Sequence, residues 1–267
     1  MMDASQHSGG EGLNPESRWF GFREVDPDEK TSLVEGVFSS VASRYDLMND
    51  LMSGGLHRLW KDRFVAMMDL RPGQKILDVA GGTGDITRRC WDRAGGRVNI
   101  TVCDLCPAMM EQGRASMVDH GILAPEFGDE GAIRWVTGNA EELPFPSRSF
   151  DICCIAFGLR NVTRIDKALS EFARVLRPGG RFFCLEFSPG VARSLKPIYD
   201  RYCETVLPWL GKHVAEDHDS YQYLAESIRQ FPPQEELAQR MEQAGFSRAK
   251  WLNMTGGIAV AHSGWRL

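Results

Sequence analysis

The sequence predicts an α/β protein built on a doubly wound, mostly parallel sheet, and three observations carry that prediction. Between Ile76 and Ile86 the chain reads Ile-Leu-Asp-Val-Ala-Gly-Gly-Thr-Gly-Asp-Ile, a short apolar run around Asp78 that opens into a turn holding Gly81, Gly82 and Gly84. A strand that passes through such a turn into a helix makes a nucleotide-type site at the carboxyl edge of a parallel sheet, because glycine has no Cβ to keep a ligand away from the backbone. The run Val98 to Cys103 ends in Asp104, about 20 residues past the last loop glycine, where Rossmann-type sheets place a carboxylate against ribose hydroxyls. From Lys75 to about Glu186, strand-like and helix-like patterns alternate in the order of successive βαβ units.

The flanking elements follow from local pattern. The first 20 or so residues are rich in Gly, Ser and acidic groups and are expected to be disordered. They have neither the Arg-rich, acid-poor character of a transit peptide nor a secretory apolar core. Val34, Val37, Phe38 and Val41 recur at helical spacing, a break follows at Tyr45 to Asp50, and Ser53-Gly54-Gly55 marks a turn. A second helix carries Leu59, Trp60, Phe64 and Met67 on one face and stops before Pro72-Gly73. Gly121 to Gly131 reads as a surface loop, and Ser149 to Phe157 as a buried strand. Arg174 to Gly180 ends a helix and turns into the strand Arg181 to Glu186.

Beyond Ser188-Pro189-Gly190, Ile198, Tyr202, Val206 and Trp209 form an apolar stripe, and a short helix is expected near Leu224 to Arg229. A helix over Gln234 to Ala244 and strands over Lys250 to Met254 and Gly257 to His262 close the chain. The resulting division is a disordered segment 1–20 and a single domain 21–267. Within that domain, 31–70 are N-terminal helices, 74–188 the core sheet, 190–233 a helical lid insertion, and 234–267 the last helix and strands. The stripe in 190–233 serves equally as a lid over a substrate or as a face docked on the sheet.

Composition narrows the function. With 267 residues and 43% hydrophobic content, the chain can bury one substantial core. A net charge of −5 argues against nucleic acid as partner, since a basic surface supplies most of that affinity. No segment reaches the roughly 18 consecutive apolar residues of a membrane-spanning helix. The seven cysteines are scattered, several inside apolar strands, and read as small core residues of a reducing compartment. Cys103-x-x-Cys106 has no second pair to complete a zinc site, so no metal is expected.

The glycine spacing separates nucleotides. A dinucleotide fingerprint needs Gly-x-Gly-x-x-Gly, but Gly82-Thr83-Gly84 is followed by Asp85, Ile86 and Thr87. The order Asp78-x-Ala80-Gly81-Gly82-Thr83-Gly84 instead resembles the first motif of class I S-adenosylmethionine-dependent methyltransferases, with Ala80 where many have glycine. Gly138 to Phe145 resembles the loop that flanks adenine in those enzymes. Further blocks are more specific: Phe38 to Asp50 (FSSVASRYDLMND), His57 to Lys61 (HRLWK), Ala156 to Thr163 (AFGLRNVT), Cys184 to Ser188 (CLEFS), Ser220 to Ile228 (SYQYLAESI) and Thr255 to Gly264 (TGGIAVAHSG). From about Gly21 to Leu267 the chain thereby resembles the ubiquinone/menaquinone biosynthesis C-methyltransferase family.

That resemblance implies a Rossmann-like sheet of seven mostly parallel strands with flanking helices. It also implies C-methylation of a prenylated methoxy-benzoquinol with S-adenosylmethionine as cofactor. Asp78, Gly81, Gly82, Thr83, Gly84, Asp104, Asn139 and Ala140 are the cofactor residues it points to. Some relatives carry serine where Ala156 stands, so that hydroxyl contact is absent here. A substrate this apolar implies peripheral contact with a membrane or handover from partners of a quinone-biosynthesis complex, and a homodimer is a family expectation. The setting would be the matrix side of the mitochondrial inner membrane in a eukaryote, or the bacterial cytoplasm.

The chemistry then asks for particular side chains. The sulfonium methyl is already electrophilic, so the protein must align a ring carbon with it and stabilise a phenolate-like ring. Arg160, just past the fourth strand of the core, suits that second task as a fixed cation, while Asn161 and Tyr45 would position the ring or a proton-accepting water. The alternative for Arg160 is an ion pair with a carboxylate that braces the site. His57 and His213 are weaker candidates, because a lone histidine is more often structural. Three other functions stay open: a dual ubiquinone/menaquinone methylase, a methyltransferase for a phenol oxygen or amine, and a largely structural member of a quinone-biosynthesis complex.

Overall fold

The structure, a computed structural model, describes residues 19–20, 23–41, 50, 53–126, 131–192, 201, 205, 223 and 226–267. Seven strands form one sheet: β1 (Lys75–Val79), β2 (Asn99–Asp104), β3 (Ala132–Thr137), β4 (Phe150–Ala156), β5 (Leu176–Phe187), β6 (Phe246–Met254) and β7 (Ala259–Arg266). Their spatial order is β3-β2-β1-β4-β5-β7-β6. The first five are mutually parallel, and β7 is antiparallel to both of its neighbours. The order reverses between β1 and β4, which opens a crevice at their carboxyl ends.

Helices cover both faces: α1 (Pro27–Val41), α2 (Leu56–Met67), α3 (Asp85–Arg93), α4 (Pro107–Asp119), α5 (Ile165–Val175) and α6 (Gln234–Gln243). A strand covered on both sides must be apolar at successive positions. Ile76 and Leu77 satisfy this on β1, and Ile152 to Ile155 on β4, all fully buried. Alternation sends them to opposite cores. Ile76 and Ile152 meet Trp60, Phe64 and Val65 of α2, whereas Leu77 and Ile155 meet Leu169 and Phe172 of α5 and Met241 of α6.

Three sequence expectations shift. Leu59 is 64% exposed, because the inward face of α2 is set by His57, Trp60, Lys61, Phe64 and Val65 and Leu59 lies nearly opposite its centre. Strand β5 begins at Leu176 rather than Arg181, absorbing Arg177-Pro178-Gly179-Gly180 through a register shift against β4 between Phe150 and Ile152. The closing strands are also longer than expected, since they pair with each other and β7 pairs along β5 as well. The apolar stripe expected in the insertion lies outside the described residues, as do Tyr45 and His213. Among the described residues, no helix is long and apolar enough to cross a membrane.

Candidate active site

A cleft of about 790 Å³, measured out to its mouth, opens at the carboxyl edge of β1, β2 and β4. Its floor is Val79, Ala80 and Gly82, and α1 covers it with Thr31, Val34 and Phe38. Ala80 and Phe157, each just past the end of its strand, both have positive φ (49° and 56°) although neither is glycine. Such conformations cost about 1–3 kcal/mol and persist where the surroundings hold them. The Phe157 N–H donates to the Leu185 carbonyl at 2.7 Å, and its ring lies 4.8 Å from Phe187. The next residue has to be small, because a Cβ on Gly158 would stand 2.6 Å from the Cβ of Ala80.

Asp104 ends β2 and organises one end of the cleft. Its Oδ2 accepts the Gly82 N–H at 2.8 Å and its Oδ1 the Cys106 N–H at 2.8 Å. Burial pushes its carboxyl above the ordinary range, and the backbone donors oppose that shift. Each oxygen retains a lone pair, so the carboxylate can still accept from vicinal hydroxyls. Asn139 lines the same end, and its Oδ1 accepts the Glu141 N–H at 2.9 Å, which folds the loop after β3. Ala140 lines it too.

The other glycine-motif residues lie behind the cleft wall. Asp78 does not face the cleft: it is 1% exposed, accepts the Thr87 hydroxyl at 2.7 Å, and is pushed up to about 6 by burial, with Thr87 and Cys154 opposing. It braces the turn, because a Cβ on Gly81 would meet both Val102 at 2.6 Å and the Asp78 carboxyl carbon at 3.2 Å. Thr83 and Gly84 are likewise absent from the cleft lining, Gly84 being backed by Trp135 and Met117. Asp85 opens α3 and pairs with Lys61 at 2.9 Å and Arg89 at 3.0 Å. Burial raises its carboxyl, but those two cations outweigh burial and hold it well below the usual range.

Another part of the cleft wall is built on a single 3-10 turn, Leu159–Asn161, which follows Gly158. Arg160 Nη1 donates to Glu186 Oε1 at 2.7 Å and to the Phe157 carbonyl at 2.6 Å. Its Nε is buried without a hydrogen-bond partner among the described residues, and Arg160, expected to touch the acceptor, stands behind the cleft lining and not in it. The carboxylate of the bracing alternative is therefore Glu186, yet only one edge of the guanidinium is committed to it. Asn161 lines the cleft and accepts the Tyr223 hydroxyl at 2.9 Å. His57 is removed from this chemistry, being buried, held to Asp50 at 2.8 Å and pushed down by burial.

Sequence reasoning missed four contributors. Glu141 is buried, accepts the N–H groups of Thr163 and Arg164, and pins the loop after β3 to the start of α5. Glu186 and Tyr223 stood inside quoted motifs, but nothing local marked their partners. Lys30 on α1 is 1% exposed; burial lowers it to about 8, and Glu141 pulls the other way.

The charge of the cleft selects among ligands. Among its described lining residues are Glu35, Asp104 and Glu141 and no Lys or Arg. A pyrophosphate would meet only negative side chains there, whereas a nucleoside bearing a cationic sulfonium fits. Cys90, Cys103, Cys106, Cys153, Cys154 and Cys184 are free and buried, and no group of three or more metal-ligating side chains occurs among the described residues. Fold and cleft together define a class I S-adenosylmethionine-dependent methyltransferase.

Comparison with known proteins agrees. The chain matches the ubiE/COQ5 methyltransferase family over residues 25–266, and it belongs to that family. It is 52% identical over 254 residues to the ubiquinone/menaquinone biosynthesis C-methyltransferase UbiE of Paracoccus denitrificans, covering 95% of this chain and 98% of that one. The protein of the same name in Brucella abortus is 50% identical over 250 residues, with coverage of 93% and 90%. Among solved structures, the chain is similar to a methyltransferase of Thermotoga maritima (TM-score 0.59, 18% identity, 88% and 100% covered). A second, from Aquifex aeolicus, gives a TM-score of 0.55 at 13% identity, with 91% and 100% covered. At these identities the likeness to solved structures is one of fold alone.

Proposed function

We propose that this protein methylates a ring carbon of a prenylated methoxy-benzoquinol, as a step of ubiquinone biosynthesis. S-adenosylmethionine, when bound, supplies an electrophilic methyl group whose departure leaves a neutral thioether. Asp104 would take the ribose hydroxyls, with Gly82, Asn139 and Ala140 around the nucleoside. Asp78, Gly81, Thr83 and Gly84 would hold the turn in shape from behind. The ring carbon gains the methyl and loses its hydrogen as a proton.

The observation that carries the reading is Asn161 on the cleft wall with the buried cation of Arg160 next to it in the chain. A guanidinium fixed by Glu186 and the Phe157 carbonyl would stabilise, through its charge and without lining the cleft, a ring oxygen that gains charge beside Asn161. Guanidinium stays protonated, so it stabilises that charge and does not take the proton. Asn161 would set the ring from the cleft wall, and Tyr45 enters on resemblance alone. A second reading, activity on a demethylmenaquinol as well, is favoured by the double name the relatives carry. Their bacterial origin supports a bacterial setting, and the tail's apolarity supports uptake of the quinol at a membrane surface or from a partner protein. The lid role for 190–233, the homodimer and membership of a larger assembly belong to this proposal also.

The test is methyl transfer from labelled cofactor, with a short-tailed methoxy-benzoquinol and a demethylmenaquinol offered separately under reducing conditions. Ring methylation of the benzoquinol is expected, and labelling of both acceptors would extend the activity to naphthoquinols. Cofactor binding with no labelled quinol from either would overturn the substrate assignment.

A further inference from the structure

The Asn161 carboxamide is held from behind. Its Oδ1 accepts the Tyr223 hydroxyl at 2.9 Å, and among the described residues the amide group makes no other hydrogen bond. An amide whose oxygen is engaged on one side presents its Nδ2 on the other, with two protons to donate. Tyr223 is itself firmly placed. It is 6% exposed, and its ring stacks on Phe20, whose strand Trp19–Phe20 pairs antiparallel with Arg23–Glu24, with centroids 4.4 Å apart and planes 19° from parallel. Burial pushes its phenol above the ordinary value, with Arg160 opposing and Glu186 reinforcing, so the hydroxyl keeps its proton to donate.

We propose that Tyr223 is a positioning residue that fixes which end of the Asn161 carboxamide faces the acceptor, so that a ring oxygen meets N–H donors and not the amide oxygen. This rests on the placement of the acceptor ring beside Asn161 given above. The consequence is selection by ionisation state. A neutral ring hydroxyl can donate to an amide oxygen, but a ring oxygen that has lost its proton can only accept. Holding Nδ2 toward the ring favours the ionised oxygen, and that is the form in which the ring carbon is most nucleophilic. Without the Tyr223 hydroxyl the amide can turn over and present its oxygen to the developing charge.

Tyr223→Phe removes the donor and keeps the ring that stacks on Phe20. The expected result is a kcat about tenfold lower, with the cofactor Kd unchanged and KM moved far less than kcat. The acidic limb of the kcat–pH profile should also move to higher pH, since the bound quinol is then harder to ionise. Combined with Asn161→Ala, the change should lower kcat no further than Asn161→Ala alone, because one residue acts through the other. Without turnover, the side-chain amide resonance of Asn161 should respond to an added methoxy-hydroquinone in the parent protein and lose that response in Tyr223→Phe. Phe20→Leu thins the packing and leaves the hydroxyl bond, so it should lower Tm and keep the pH profile.

A parental kcat and pH profile in Tyr223→Phe, or losses that multiply in the double variant, would overturn the positioning role while leaving Asn161 in place. A shifted profile in Phe20→Leu would move the effect from the hydroxyl to the packing and overturn it too. An Asn161→Ala variant with normal kcat and an unmoved profile would remove the acceptor role of Asn161, and the inference with it.

Discussion

Around Asp104 the cleft is held by backbone N–H groups, whereas around Asn161 side chains are held by other side chains. At the first, Asp104 binds Gly82 across β1 and β2 and Cys106 two residues on, and Asn139 folds its own loop. At the second, Arg160 meets Glu186 from the next strand, and Asn161 meets Tyr223 from beyond the core sheet, 62 residues away. Backbone donors fixed by a parallel sheet hold their geometry without help. A buried guanidinium holds only if its partner stays in place, so damage to the two ends should have different signatures.

The largest effect should come from Glu186→Ala. Glu186 is 1% exposed and accepts from Arg160 Nη1 at 2.7 Å and from the Phe187 N–H at 3.0 Å. Its loss leaves a buried cation uncompensated, which costs about 3–5 kcal/mol in unfolding free energy by urea titration. Replacing Arg160 in the same chain with Met should recover part of that loss, which separates the stranded charge from the missing carboxylate. Asp104→Asn comes next and acts on the opposite end. It should weaken cofactor binding on the order of 100-fold by calorimetry, through loss of charge-assisted bonds. Acceptor-end variants should leave that constant alone, and a shared loss would erase the distinction between the two ends.

Lys30 gives the effect that depends on pH. Burial brings its folded pKa down from 10.5 to about 8, with Glu141 opposing. Between those values the unfolded chain binds more protons than the folded one, so this group makes stability rise with pH across that window. Below pH 8 both states carry the charge and the full penalty of burying it applies. Lys30→Met should therefore be more stable than the parent at pH 7, by an amount that shrinks by roughly 3 kcal/mol as pH climbs to 10.5. Melting temperatures that run parallel over that range would show that Lys30 is not held away from water.

This contrast also accounts for what could be read from the chain. The parallel sheet, the glycine turn and the place of Asp104 at a strand end were legible because parallel strands buried on both faces write continuous apolar runs, and the turn writes its glycines; the strand Ala132–Thr137 and the strand order were not read. The inward turn of Asp78 was not, since an acid at a strand end reads alike whether it meets a ligand or Thr87. Leu59 misled because a helix face is set by what packs on it, and Lys61 faces inward to reach Asp85 while Leu59 stays outside. Glu186 and Tyr223 carried no local signal of their partners, because no glycine turn or fixed strand-to-strand spacing marks those pairs as it does Gly82 and Asp104.

The contact between Ala80 and Gly158 restricts the order in which this site can change. Ala80 sits where a glycine would relax the positive φ, but its methyl fills the space that any side chain at 158 would need. Alanine at 158 is thus admissible only after 80 has become glycine, and the reverse order passes through an overpacked intermediate. Two positions 78 residues apart in sequence therefore behave as a single site when the loop is redesigned. Libraries that vary them one at a time will record position 158 as intolerant when it is only conditional.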